Sequence, residues 1–188
     1  MVNFLKKSCL KGQERKKNMQ KKNRDRTKSF LKMSIVDAHA HCDIPCKIYD
    51  PSTAQIAALT VIRMIDIIEE AIADDGSSEV KTINTINRAI AKKEQEAERV
   101  KHETRIIWGD YFKGALIDDA PDIHGLAHNI MLTASATKQA VDRPTAEKLL
   151  QQVNQLAELF WKSKGINVKT ATCPYPPSEP TVYPIIEN

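Results

Sequence analysis

The sequence predicts an all-α protein built on an up-down-up-down four-helix bundle. Among its 188 residues only six are glycine and 5% are aromatic, while 41% are hydrophobic, a composition that favours helices. Between residues 51 and 165, apolar residues recur at spacings of three and four in four stretches joined by short connections. Short connections place consecutive amphipathic helices side by side and antiparallel, which makes a bundle.

The first two helices each begin with a residue that suits a helix cap. Asp50 can cap a helix whose first residue is Pro51, where a missing N–H costs nothing. Ser77 or Ser78 can cap a second, longer helix that ends near residues 108–113. The residues predicted to face the core are Ile56, Leu59, Ile62, Ile65, Ile68 and Ile72, then Val80, Ile83, Ile86, Ile90, Ala97, Val100 and Ile107. The residues predicted to face mostly outward are Lys92, Lys93, Glu94, Glu96, Glu98 and Arg99.

Two further helices complete the predicted bundle. Residues 114–119 are a predicted turn, and a third helix occupies about residues 121–140. The fourth helix occupies residues 142–165, with Pro144 near its start and Gly165 as its stop. No stretch has the apolar length of a membrane span.

The two ends of the chain differ from the predicted bundle in charge and composition. Residues 1–40 carry twelve Lys and Arg against three Asp and Glu, while the rest carries sixteen against twenty-one. With almost no apolar periodicity, this basic leader is expected to be disordered and removed, although an organelle transit peptide, or a true start at Met19 or Met33, stays open. The proline-rich segment 166–188 is predicted as an extended, flexible tail.

Residues 41–46 carry the donors for a metal site. His41, Cys42 and Cys46 place an imidazole and two thiols within six residues, and these side chains favour late transition metals. No second cysteine pair follows at zinc-finger spacing, which argues against a closed tetrahedral zinc site. Pro45 narrows the backbone choices before the second thiol and favours a tight turn. Residues 41–50 are therefore predicted to form an N-terminal metal-binding hook loop.

A cut before His41 would complete this donor set. The new terminus would add an α-amine, and the amine, the Cys42 amide nitrogen and two thiolates could lie in one plane, which suits nickel or copper. Residues 38–40, AHA, have the small residues of a cleavage site, although no apolar segment of signal-peptide length precedes them. A strained disulfide or two unrelated thiols are the alternatives for this cysteine pair.

Residues 41–51, HCDIPCKIYDP, closely resemble the nickel hook of the nickel-containing superoxide dismutase family, whose motif is His-Cys-Asp-x-Pro-Cys-Gly-x-Tyr-Asp-Pro. Only the glycine differs, and Lys47 replaces it. Residues 106–113, IIWGDYFK, are similar to the family's L-W-x-D-Y-F-K, residues 121–124, PDIH, to its Pro-x-Leu-His, and residues 160–164 to its terminal F-W-x-x-K. The resemblance thus covers the hook and the whole bundle.

This resemblance implies a nickel-dependent superoxide dismutase with one nickel ion per subunit. Superoxide would be converted to dioxygen and hydrogen peroxide as the metal alternates between Ni(II) and Ni(III). His41, Cys42 and Cys46 are the implied metal ligands, with the His41 imidazole as an extra axial ligand of Ni(III). Tyr49 and Tyr111 are implied to lie beside the open face of the nickel.

The resemblance also implies partners for the protein, and the sequence departs from the family at a second position. The family's bundles pack as a homohexamer that shelters each hook, and a maturation protease would cut between Ala40 and His41. A cytoplasmic location is expected, with neither nucleic acid nor membrane as a partner. Ala57 stands where some members have an acidic residue that orients the first histidine, so the support of His41 differs here.

Other candidate residues are weaker. His124 and His128 lie one helical turn apart, but no acidic residue between them gives the metalloprotease pattern, and we interpret them as ordinary helix residues. Cys9 and Cys173 have no partner at a defined spacing and are interpreted as incidental thiols.

Two other function classes stay open at this point. One is a nickel or copper carrier that uses the same hook without turnover. The other is a helical interaction module in which Cys42 and Cys46 form a redox-sensitive disulfide. Metal content and superoxide turnover separate these classes from an enzyme.

Overall fold

The computed structural model of the chain describes residues 47–74 and 76–186, so the basic leader and the predicted ligands His41, Cys42 and Cys46 lie outside the described residues. Its four long helices are α1 Ser52–Ala73, α2 Glu79–Ile106, α3 Ile123–Gln139 and α4 Arg143–Ser163. A π-helical turn, Ile107–Tyr111, continues α2, and a short helix, Ala115–Asp118, precedes α3. Two strands follow the helices, β1 Val168–Thr172 and β2 Pro180–Pro184.

The four long helices form the predicted bundle. Helix α1 packs on α2 and α4, α2 packs on α3, and α3 packs on α4, so the ring closes between the first helix and the last. This neighbour relation is that of an up-down-up-down bundle, and the all-α prediction is confirmed. All four helices contribute fully buried side chains to one core, among them Ile62, Ile65, Val100, Ile130, Leu149 and Phe160.

Local sequence signals account for the helix ends. The Ser78 hydroxyl accepts a hydrogen bond from the Lys81 N–H (3.4 Å) at the start of α2, and the Asp142 carboxylate accepts one from the Thr145 N–H (3.1 Å) at the start of α4. Both caps satisfy N–H groups that have no intrahelical partner. Gly165 follows α4 at φ +70°, a left-handed conformation that glycine adopts without steric cost.

Several residues face a direction other than the predicted one. Ile56 and Ile72 of α1 and Val80 and Ile83 of α2 are more than half exposed. Helix α2 has 28 residues and α3 has 17, so the first turns of α2 extend past the end of α3 and find no partner there. Conversely Lys93 and Glu96, which were predicted to face outward, are buried.

The buried Lys93 joins α2 to the end of α3. Its ammonium group donates to the carbonyl oxygens of Thr137 (2.5 Å), Lys138 (3.2 Å) and Ala140 (2.6 Å). The last carbonyls of a helix have no intrahelical partner and carry the negative end of its dipole, which makes them good acceptors for a cation. Desolvation lowers the pKa of Lys93, and the three acceptors offset the loss of water.

The carboxyl-terminal segment, predicted as an extended and flexible tail, is instead a β-hairpin that packs against the bundle. Strands β1 and β2 pair antiparallel, with Val168 opposite Pro184 and Thr172 opposite Pro180. Cys173 and Val182 are both 2% exposed, so the hairpin has an apolar side that the bundle covers. The two prolines occupy the ends of β2, where a missing N–H costs the ladder least. Within the described residues, no helix combines the length and the apolar character needed to cross a bilayer.

We expect Lys93→Met to lower the free energy of unfolding by about 3 kcal/mol, because three buried or half-buried carbonyls lose a charged donor. Lys81→Met in the exposed first turn of the same helix should change it by no more than about 0.5 kcal/mol. Urea unfolding followed by circular dichroism measures both values. Equal midpoints for Lys93→Met and the parent protein would show that the buried ammonium does not hold α3.

Candidate metal centre

The hook enters the bundle without a linker. The Asp50 carboxylate accepts a hydrogen bond from the Ser52 N–H at 2.8 Å. Pro51 is buried and has the helical angles φ −73° and ψ −11°, and α1 begins at the next residue. The predicted cap and the predicted proline start are therefore confirmed to within one residue. Residues 47–50, called the hook base below, are as a result continuous with the first turn of α1.

Lys47 adopts a backbone conformation that usually requires glycine. Its φ is +59°, and a left-handed conformation costs a residue with a Cβ roughly 1–2 kcal/mol. Lys47 is also the one position at which the hook motif departs from the resembled family, where a glycine stands. A glycine would adopt this φ without that steric cost, and in this chain a lysine adopts it.

Tyr49 of the hook base and Tyr111 of the bundle pack against each other. Their ring centroids are 5.4 Å apart with an interplanar angle of 54°. Tyr111 is the last residue of the π-helical turn, in which the Phe112 N–H reaches back to the Ile107 carbonyl (3.1 Å). Single π-helical turns inside α-helices are frequent at functional sites. The two tyrosines that the sequence singled out are thus brought together.

The hydroxyl of Tyr111 is held by the end of α4. Ser163 donates its hydroxyl proton to the Phe160 carbonyl at 2.6 Å. A serine hydroxyl has one proton, so Tyr111 is the donor in the 2.6 Å hydrogen bond that joins its hydroxyl to Ser163. The Tyr111 ring also contacts Phe112 and Phe160, with centroids 5.1 and 4.8 Å away.

Positive charge lies next to this aromatic group. The Lys164 ammonium is 4.8 Å from the centroid of the Tyr111 ring, within the range of a cation–π interaction. Lys113 is exposed and pairs with Asp110 at 3.9 Å. Sequence reasoning missed Ser163 and Lys164 as neighbours of Tyr111, because nothing in the pattern of α4 marks a residue that meets the π-helical turn.

The structure also describes Ala57, His124 and His128, which the sequence singled out. Ala57 is fully buried in the core, so it contributes no polar group to a histidine. The Trp108 indole N–H donates to His124 Nδ1 at 2.9 Å, which engages that nitrogen, and His128 is exposed on the same helix. Among the residues that the structure describes, no three His, Cys, Asp or Glu side chains come close enough to hold a metal ion.

A model of the nickel-containing superoxide dismutase family matches residues 36–164, which is well over half of the chain. The chain belongs to this family. The superoxide dismutase [Ni] of Streptomyces coelicolor is 35% identical to it over 129 residues, which is 69% of this chain and 92% of that protein. The enzyme of Streptomyces seoulensis is equally similar over the same length.

Solved structures agree with this family membership. The native nickel superoxide dismutase structure is 34% identical, with a TM-score of 0.56, and the match covers 66% of this chain and 99% of that one. The structure with nickel ligation corresponding to the oxidized state gives 34% identity and a TM-score of 0.57 over the same shares. The helical bundle is thus the fold of the nickel superoxide dismutases.

We expect Lys47→Gly to raise the free energy of unfolding by about 0.5–1 kcal/mol, because the relief at positive φ exceeds the entropy that glycine adds to the unfolded chain. Ile48→Gly is the matched control, since Ile48 is exposed and does not have a positive φ; it should lower the same quantity. Thermal and urea unfolding of the metal-free protein report both effects. A Lys47→Gly protein less stable than its parent would contradict the left-handed turn.

Proposed function

We propose that this protein catalyses the nickel-dependent dismutation of superoxide to dioxygen and hydrogen peroxide. Two superoxide anions and two protons are consumed, one anion being oxidised and the other reduced. The observation that carries the proposal is the family match, which includes the hook motif HCDIPCKIYDP directly before the capped start of α1. A carrier without turnover is not favoured, because the relatives named above are superoxide dismutases.

The residues proposed to hold nickel are His41, Cys42 and Cys46. Thiolate and imidazole donors fit the metal, since soft and borderline ligands select late transition ions over Mg²⁺ or Ca²⁺. The hook base supports the same conclusion, because it begins with a positive φ at Lys47 and continues into α1 after Pro51. One nickel ion bound per subunit would supply the Ni(II)/Ni(III) one-electron couple that dismutation needs.

Tyr49 and Tyr111 are proposed to line the approach to the ion. Their packed rings limit the space open to water and larger molecules beside the hook base. Because the Tyr111 hydroxyl donates to Ser163, its lone pairs are left to accept from a protonated species or from water. Lys164 places positive charge over the Tyr111 ring, and Lys113 follows Tyr111 by two residues in the sequence. Both lysines would attract the anionic substrate, an effect that added salt weakens.

Processing before His41 is proposed as the step that completes the site. In the uncut chain the nitrogen of His41 is an amide, which is a far poorer donor than a free amine. A protease that cuts between Ala40 and His41 would supply the amine and remove the forty residues that precede it. Nickel binding then releases protons from the amine and the thiols, so assembly favours neutral to alkaline pH.

A homohexamer is the proposed assembly, as the family resemblance implies. The apolar residues Ile56, Ile72, Val80, Ile83 and Leu132 are all more than half exposed, and contact with further copies would bury such side chains. Light scattering on the purified protein tests this assembly. A cytoplasmic location stays a prediction.

One experiment tests the proposed function against both alternatives. The protein that begins at His41 is purified, loaded with nickel and assayed for metal content and for superoxide turnover by pulse radiolysis. Stoichiometric nickel with rapid turnover supports the enzyme. Nickel without turnover identifies a carrier, and a Cys42–Cys46 disulfide without nickel identifies a redox module.

Cys42→Ser and Cys46→Ser should each abolish nickel binding and turnover, because a neutral hydroxyl is a poor substitute for a thiolate donor. Far-ultraviolet circular dichroism should show an unchanged helix content, since the bundle core lies in residues 54–160. Metal analysis that found full nickel occupancy in either variant would remove that thiol from the ligand set.

His41→Gln should behave differently from the cysteine variants. The terminal amine, the amide and both thiolates would still be available, so nickel should still bind, while turnover should fall sharply without the imidazole. Tyr49→Phe is the milder comparison, because it leaves every proposed donor intact. If His41→Gln bound no nickel, the imidazole would be needed for binding and not only for turnover.

A further inference from the structure

The carboxyl-terminal hairpin lies beyond the part of the chain that matches the family. The family match ends at residue 164, and the native nickel superoxide dismutase is matched over 99% of its length by 66% of this chain. Strands β1 and β2 begin at residue 168. The hairpin is thus an addition to the bundle that these relatives share, and the established family activity does not account for it.

Two side-chain amides tie the hairpin to the bundle. Gln55, in the first turn of α1 and 5% exposed, donates from Nε2 to Asn154 Oδ1 (2.9 Å) and to the Val182 carbonyl (2.8 Å). Asn154 of α4 accepts from the Val182 N–H (3.2 Å) and donates to the Pro180 carbonyl (2.9 Å). Three backbone groups of β2 are therefore satisfied by side chains of α1 and α4, in a connected network whose bond from Gln55 to Val182 is buried.

An ion-pair cluster attaches Glu179, the residue before β2, to a second place on the same two helices. Arg143, the first residue of α4, bonds to Asp66 of α1 at 2.8 Å and to Glu179 beside β2 at 2.7 Å, and also bonds to Glu147. These contacts raise the pKa of Arg143, with the hydrogen bond to Asp66 as the largest cause. The hairpin is thus attached at two separate places along α1 and α4.

The hairpin faces the junction between the hook base and α1. A cavity of about 200 Å³ lies there. One wall carries Asp50, Ser52, Gln55 and Ile56, and the opposite wall is formed by the hairpin residues Tyr175, Thr181, Val182, Tyr183 and Pro184. Gln55 is four residues after Pro51, and its N–H bonds to the Pro51 carbonyl at 3.1 Å. Through its contact with Gln55, the hairpin therefore holds the helical turn that follows the hook base.

We propose that the hairpin is a brace for the hook base: by holding Gln55 it keeps the first turn of α1 wound, and so keeps Tyr49 against Tyr111. The first turn of a helix lacks half of its hydrogen bonds and opens more readily than the interior. Opening of this turn would free the segment that leads back to Cys46. Gln55 and Asn154 are positioning residues, since they contact neither the metal nor the substrate. The nickel arm of the test below rests on the proposed function.

Nickel release to excess chelator tests the brace in three variants of the protein that begins at His41. Gln55→Leu keeps the side-chain size and removes both donors, a chain ending at Gly165 removes the hairpin, and a third protein combines the changes. Release should become about tenfold faster with Gln55→Leu and at least as fast in the shortened chain. The combined protein should release nickel no faster than the shortened chain alone, because both changes remove the same contact between Gln55 and the hairpin.

A matched control separates positioning from general stability. Ser135→Ala removes the 2.7 Å hydrogen bond from Lys101, which joins α2 to α3 away from the hairpin. Ser135→Ala should lower the melting temperature by about as much as Gln55→Leu does, and it should leave the rate of nickel release unchanged. Equal acceleration of release in Ser135→Ala and Gln55→Leu would overturn the brace, as would additive effects of Gln55→Leu and shortening.

Amide hydrogen exchange of the metal-free protein gives a readout that does not involve nickel. In Gln55→Leu the amides of residues 55–59 should exchange faster, while those of α3 should not change. Parent-like exchange in the first turn of α1 would overturn the brace even if nickel release were faster. A parent protein that binds no nickel would remove the proposed function, and the exchange result would still decide the brace.

Discussion

The junction of the hook with α1 is the constraint on which the rest of this structure depends. A loop of a few residues cannot hold three donors in one arrangement unless its end is anchored, because each unrestrained residue costs roughly 1–2 kcal/mol of backbone entropy when it is ordered. Asp50 and Pro51 provide the anchor by making the hook base the first part of a helix. The bundle behind α1 then serves as the rigid support that a preformed site requires.

The bundle also brings a second tyrosine to the hook base. Helix α2 ends in a π-helical turn that carries Tyr111 to the hook base, and the end of α4 fixes that tyrosine through Ser163 and places Lys164 over its ring. Three helices thus meet at one end of the bundle around the Tyr49–Tyr111 pair. The opposite end has a structural role, in which Lys93 binds the last carbonyls of α3.

Sequence reasoning recovered the features that depend on local chemistry. The caps at Asp50 and Ser78, the start of α4 near Asp142 and the stop at Gly165 are short-range signals, and the bundle follows from the spacing of apolar residues. Sequence reasoning failed where burial depends on a distant partner. Lys93 looks like a surface lysine until its three acceptors at the end of α3 are known. Gln55 is polar on an apolar helix face because Asn154 of α4 and the Val182 carbonyl of the hairpin supply its acceptors. The positive φ of Lys47 is likewise a property of the folded turn.

The most direct measurement compares two chains that differ by one residue, one beginning at His41 and the other at Ala40. Both are loaded with nickel under the same conditions and assayed for superoxide turnover, with bound nickel measured in parallel. The account predicts full activity only for the chain with a free amine on His41, with both chains equally helical. Equal turnover by the chain that retains Ala40 would contradict it.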